Sequence, residues 1–103
     1  MEAWGAFVEA FTKIKEGDGT LLDNVLIYAN TDVAYARVHS MSDLPLFTAG
    51  RAGGRAKTGL HIAGNGTPAT RIGYTAMKLL GLELANWGTV SNSTGQEVSE
   101  ILA

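Results

Sequence analysis

The chain is expected to form a small α/β domain, and three features of its 103 residues lead there. Apolar residues recur at spacings of three and four near the start and again around residues 69–80, the period of a helix with one buried face. Two short apolar runs, Val25 to Ala29 and Leu44 to Ala49, lie between these stretches, each bounded by turn formers. Helix, strand, loop, strand, loop, helix is the order of an α/β layer.

From Glu2 to Glu16, the residues Trp4, Phe7, Val8, Phe11 and Ile14 make one stripe, so an amphipathic helix is expected. Lys13 and Lys15 stand near its negative end, and Gly17-Asp18-Gly19 stops it. Val25 to Ala29 then reads as a buried strand. A second strand, Leu44 to Ala49, follows the polar stretch His39-Ser40-Met41-Ser42-Asp43 and is closed by Gly50; Pro45 sits near its start, where a missing N–H is tolerated. Gly50 to Gly66 reads as a long loop or irregular hairpin around a short stretch at Leu60 to Ala63. Thr67-Pro68 supplies an N-cap and a first-turn proline for a helix from about Ala69 to Leu80, with Ile72, Ala76, Leu79 and Leu80 facing inward and Gly81 at its stop. Ala85 to Gly95 is loop, and Glu97 to Leu102 is one closing helical turn or a strand.

A chain of this length suits one domain at most, and 46% apolar with 17% charged residues is the balance of a folded chain. The absence of cysteine excludes disulfides, thiolate metal sites and a cysteine nucleophile. No apolar run approaches the ~18 residues of a membrane span, so no membrane partner is expected. The net charge of −2 is unevenly spread. Between Leu44 and Leu82 there is no acidic residue, while Arg51, Arg55, Lys57, Arg71 and Lys78 are present. Such an island can hold a phosphate or sulfate oxyanion, and Arg51, Arg55 and Lys57 are the candidate anion-binding residues. The competing reading is a solvated loop surface, which charge runs more often form. Nucleic acid is not expected, because the domain is acidic overall and carries no recognised binding motif.

The stretch from Gly50 to Gly59 is glycine-rich, yet it is no nucleotide-binding loop, since Ala56 and Arg51 stand where that motif needs glycine. Asp32 and His39 follow the first strand, where open α/β sheets collect ligands, and both types of side chain bind ions such as zinc. Two ligands do not make a site, and a surface histidine beside a loop-capping aspartate is the plainer alternative. No serine or threonine sits in a nucleophile elbow, so no nucleophile is assigned. Asn65-Gly66-Thr67 and Asn92-Ser93-Thr94 match the glycosylation acceptor pattern and read as turns. A sheet this small leaves edges in need of partners. Residues 1–103 are therefore expected to be a partial domain within a larger protein.

The ordered series Glu16-Gly17-Asp18-Gly19-Thr20-Leu21-Leu22-Asp23-Asn24, the strand ending at Tyr28, His39, Asp43-Leu44-Pro45, Ala49-Gly50, Gly53-Gly54-Arg55 and Lys57-Thr58-Gly59 resembles the C-terminal part of bacterial proteins grouped as domain of unknown function 1552. The likeness continues through Gly66-Thr67-Pro68, Leu80-Gly81, Trp87-Gly88 and Ser93-Thr94-Gly95. It implies a longer, exported protein with a fold like the alkaline phosphatase and sulfatase superfamily, this chain forming part of its sheet with flanking helices. It also implies that the missing N-terminal part of the same protein is a partner, that a divalent metal such as zinc is a cofactor, and that Asp32 and His39 are late metal ligands. Family members often carry a second histidine two residues after the first, and Met41 stands there instead. Two functions follow as expectations: a metal-dependent hydrolase of a small phosphate or sulfate ester, or a noncatalytic secreted binding or structural protein whose metal site has decayed.

Overall fold

The computed structural model describes all of residues 1–103 as a mixed α/β chain with three α-helices and two separate two-stranded antiparallel sheets. The first helix, α1, spans Glu2–Thr12, four residues less than its apolar stripe suggested. The reason is local. Gly17, at φ +58°, and Asp18 form a tight turn, and such a turn needs extended residues on both sides. Lys15–Glu16 (β1) accordingly pairs with Gly19–Thr20 (β2). Lys15 lies in a strand, and Lys13, as the helix cap, pairs instead with Glu9 at 3.1 Å.

A short helix, α2 (Leu21–Asn24), follows directly. Thr20 and Asp23 form a capping box around its first turn. The Asp23 carboxylate accepts the Thr20 N–H at 2.8 Å and the Thr20 hydroxyl at 3.2 Å.

The two sequence-predicted strands are present as β3 (Ile27–Asn30) and β4 (Leu46–Ala49), paired antiparallel with Ile27 opposite Ala49 and Asn30 opposite Leu46. They were expected to be buried on both faces within a larger sheet. Instead exposure alternates along β3, with Tyr28 and Asn30 in solvent, because an antiparallel pair needs cover on one face only. These residues form no alkaline-phosphatase sheet. On one side Trp4 of α1 meets Phe47 of β4, ring centroids 6.3 Å apart.

Gly50 ends β4 at φ +92°, with its amide plane so close to Val25 that an added Cβ would collide with the Val25 carbonyl oxygen. Only glycine fits there. The chain then turns through a 3-10 segment, Ala52–Gly54. A bridge between Ala56 and Leu102 and a bond from the Lys57 N–H to the Ile101 carbonyl staple this segment to the closing residues, whose Ser99–Ile101 stretch is a 3-10 turn.

The last helix, α3 (Thr70–Leu79), lies within one residue of its expected bounds. Thr67 does not cap it, since the Thr67 hydroxyl donates to the Gly64 carbonyl at 2.6 Å. Its buried residues are Tyr74, Thr75 and Leu79, while Leu80, expected inward, is 63% exposed at the C-cap. The small core joins Leu79 to Ala52, Ala56 and Ile101, flanked by Leu26, Ile72, Val98 and Leu102.

Candidate functional site

The loop of residues 31–45 connects β3 to β4 and carries both candidate metal ligands. Asp32 and His39 are exposed on it. His39 takes a left-handed conformation, φ +51°, beside a short bridge between Tyr35 and Ser40. Ligands collect beyond strand ends in open, mostly parallel sheets, whereas β3 and β4 run antiparallel, so this loop is a hairpin connection and not the mouth of a doubly wound sheet. No cluster of three or more histidine, aspartate or glutamate side chains that could hold an ion is formed. Within residues 1–103 the pair therefore falls short of the three protein ligands of a catalytic zinc centre.

The cationic island divides by use. Arg71 is a structural residue: its guanidinium donates to the Glu97 carbonyl at 2.7 Å and to the Thr67 hydroxyl at 3.2 Å. Lys78 pairs with the Glu97 carboxylate at 3.2 Å and lies 5.7 Å from the centre of the Tyr74 ring. Glu97 is held below the usual carboxylate range, first by its own backbone N–H and then by Lys78. Arg51, Arg55 and Lys57 remain exposed on the loop after β4. Arg55 spends its Nε–H on the Ala52 carbonyl at 3.0 Å, which tightens the 3-10 turn. Arg51 lines a shallow depression of about 260 Å³ with Thr48, Thr58 and Asp23. The Asp23 carboxyl is held below its ordinary range by the Thr20 N–H and hydroxyl, with the charge of Arg51 a lesser cause. An anion entering beside Arg51 thus meets a carboxylate that stays ionised, which works against tight oxyanion binding. Arg55 and Lys57 do not line that depression.

A larger groove, about 850 Å³, was not anticipated from the sequence. One wall is Leu44 to Thr48 and the other is Leu60 to Pro68, with Ile72, Val98 and Ile101 also lining it. His61 stands in this groove and not with the basic residues around Arg51. The sequence signal for it was the period-two pattern Leu60-His61-Ile62, which resembles a strand without being paired as one.

Comparison of the chain with known protein families, curated proteins and solved structures finds no match.

Proposed function

We propose that residues 1–103 serve as a noncatalytic binding or structural layer of a larger α/β protein whose fold is like the alkaline phosphatase and sulfatase superfamily. The amount of uncovered surface carries this reading. The accessible surface is 7212 Å², whereas a compact monomer of 10.8 kDa exposes about 5,500 Å². The excess of about 1,700 Å² is roughly twice what each partner loses in a standard protein interface. Only 7 of 103 residues are buried, so the core is thinner than independent stability asks of a domain this size. The 51 backbone hydrogen bonds also fall below the roughly 70 expected for the length.

On this reading the exposed strand edges are covered by other polypeptide, of which an upstream part of the same protein is the partner the resemblance implies, together with export. Hydrolysis of a small phosphate or sulfate ester is the second reading, favoured by the exposure of Asp32 and His39 on one loop. In that case a divalent ion such as zinc draws its remaining ligands from outside residues 1–103.

Two measurements test these readings. The isolated chain should melt broadly or associate, and a sharp transition of a monomer above about 60 °C, near the top of the mesophile range, would overturn the first reading. Metal analysis of the full-length protein, prepared without a histidine tag or chelator, should find no stoichiometric metal. A bound ion that is lost in His39→Ala but kept in His61→Ala would instead make His39 a metal ligand and favour the hydrolase reading.

A further inference from the structure

The large groove runs along a strand edge. Successive strand residues point to opposite faces, so a groove lined by Leu44, Pro45, Leu46, Phe47 and Thr48 in unbroken succession follows the edge of β4 and not one of its faces. No β3 residue lines it. It is therefore the edge of β4 away from β3, where every second residue turns its N–H and C=O outward with no strand to receive them. The opposite wall is equally unpaired. From Thr58 to Gly66 no backbone N–H donates a hydrogen bond, and from Thr58 to Ala63 no carbonyl accepts one, so this wall can move aside without breaking backbone bonds.

Free edges are normally blunted by a charge, a proline, a bulge or a very short strand. β4, Leu46–Ala49, is short and follows Pro45 directly, yet no charged residue or proline lies within its span. Apolar side chains crowd the same side of the molecule, with Met41 70%, Leu60 52% and Phe47 37% exposed. A two-stranded sheet is marginal alone, whereas three or more strands with an apolar face are independently stable.

We infer that the cover over this groove is a second copy of the chain, joined through β4 to β4 across a two-fold axis. Symmetry favours this occupant. An axis perpendicular to the strands makes the two β4 edges antiparallel, matching the antiparallel β3–β4 pair, and the product is one four-stranded sheet, β3-β4-β4-β3. No like charges meet across the axis, because β4 has no charged residue. The excess surface of about 1,700 Å², spread over the whole chain, leaves room for the ~800 Å² per partner that a stable dimer takes. This inference rests on the reading of the surface as an interface, and it names a second copy as the partner at the β4 edge, upstream polypeptide covering the remaining exposed surface.

The test is sedimentation of the 103-residue chain with a substitution at Thr48, which is exposed in the middle of β4. Wild type should sediment as a dimer. Thr48→Lys places like charges across the axis and should weaken association roughly tenfold or more, as should Thr48→Glu. Mixing the two variants should restore the dimer as a heterodimer, an outcome that misfolding of either variant could not produce. Ser91→Lys, on an exposed turn that does not line the groove, should leave association unchanged. Dimers that persist in Thr48→Lys, or a mixture that stays monomeric, would overturn pairing through β4. A wild-type monomer up to roughly 1 mM with a broad melt would remove the second copy while leaving the structural-layer reading in place. The same monomer with a sharp melt would remove both.

Discussion

Thr75 is the one side chain wholly withdrawn from water, and its hydroxyl is used twice. It donates to the Arg71 carbonyl at 2.6 Å and accepts the Val98 N–H at 2.8 Å, so one oxygen ties α3 to the segment that closes the chain. Thr75→Val keeps the shape and leaves the Val98 N–H without a partner, which should cost about 1–3 kcal/mol. Thr75→Ser retains the oxygen and should recover most of that loss; urea unfolding of the three proteins is the check, and equal midpoints would show the bond contributes nothing. The helix period legible in residues 69–80 marked Leu79 correctly and passed over Thr75. Polar residues do not enter an apolar stripe, so a buried threonine becomes visible only when its partner, 23 residues away, is in place. Gly50 is the opposite case. Its position after an apolar run marked the strand end, although the collision that forbids a side chain there comes from Val25, at the C-cap of α2 just before β3.

At the scale of elements, the stretch before β3 reads in the sequence as a turn, and it folds instead as α2, whose four residues are held by the capping box of Thr20 and Asp23, a Thr-x-x-Asp pattern. Its carboxylate also sets a pH dependence. Asp23 and Glu97 are both held below the usual carboxylate values in the folded chain, while the unfolded chain titrates near about 3.9–4.3. Lowered folded values mean that the stability these groups add is present above that range and is lost as pH falls through the folded values. The urea midpoint should therefore be level from about pH 7 to pH 5 and decline below about pH 4. Asp23→Asn should flatten part of the decline. An acid limb that Asp23→Asn leaves untouched would show that the Thr20 bonds do not matter to folding.

Across the whole molecule, protection is unevenly placed. The radius of gyration is 14.7 Å, larger than the roughly 13 Å of a compact chain of this length, and the buried residues gather around α3, the 3-10 turn after β4 and the closing turn. Hydrogen exchange should find the slowest amides in α3 and at Ala56 and Lys57, whose N–H groups are bonded to Arg51 and Ile101. Amides from Thr58 to Gly66 should exchange at nearly the rate of an unfolded chain, since none is bonded. Uniform protection along the chain would contradict this division. If the chain pairs through β4, amides of Leu46–Ala49 should slow as concentration rises, whereas those of Ile27–Asn30 should change less.

The sequence by itself determined the mixed α/β class, the place of α3, the two apolar runs that became β3 and β4, and the run of cations from Arg51 to Lys78. Each of these rests on local periodicity, turn chemistry or charge, which neighbouring residues suffice to express. Tertiary structure alone decided the rest. Arg71 and Lys78 became structural partners of Glu97, and Arg51 came to lie beside Asp23, because charge partners 19 to 28 positions apart are brought together only when the chain closes. The antiparallel pairing of β3 with β4 and the groove along its open edge were likewise beyond a local reading. Which edges meet and which stay bare depends on how elements distant in the chain share too small a core.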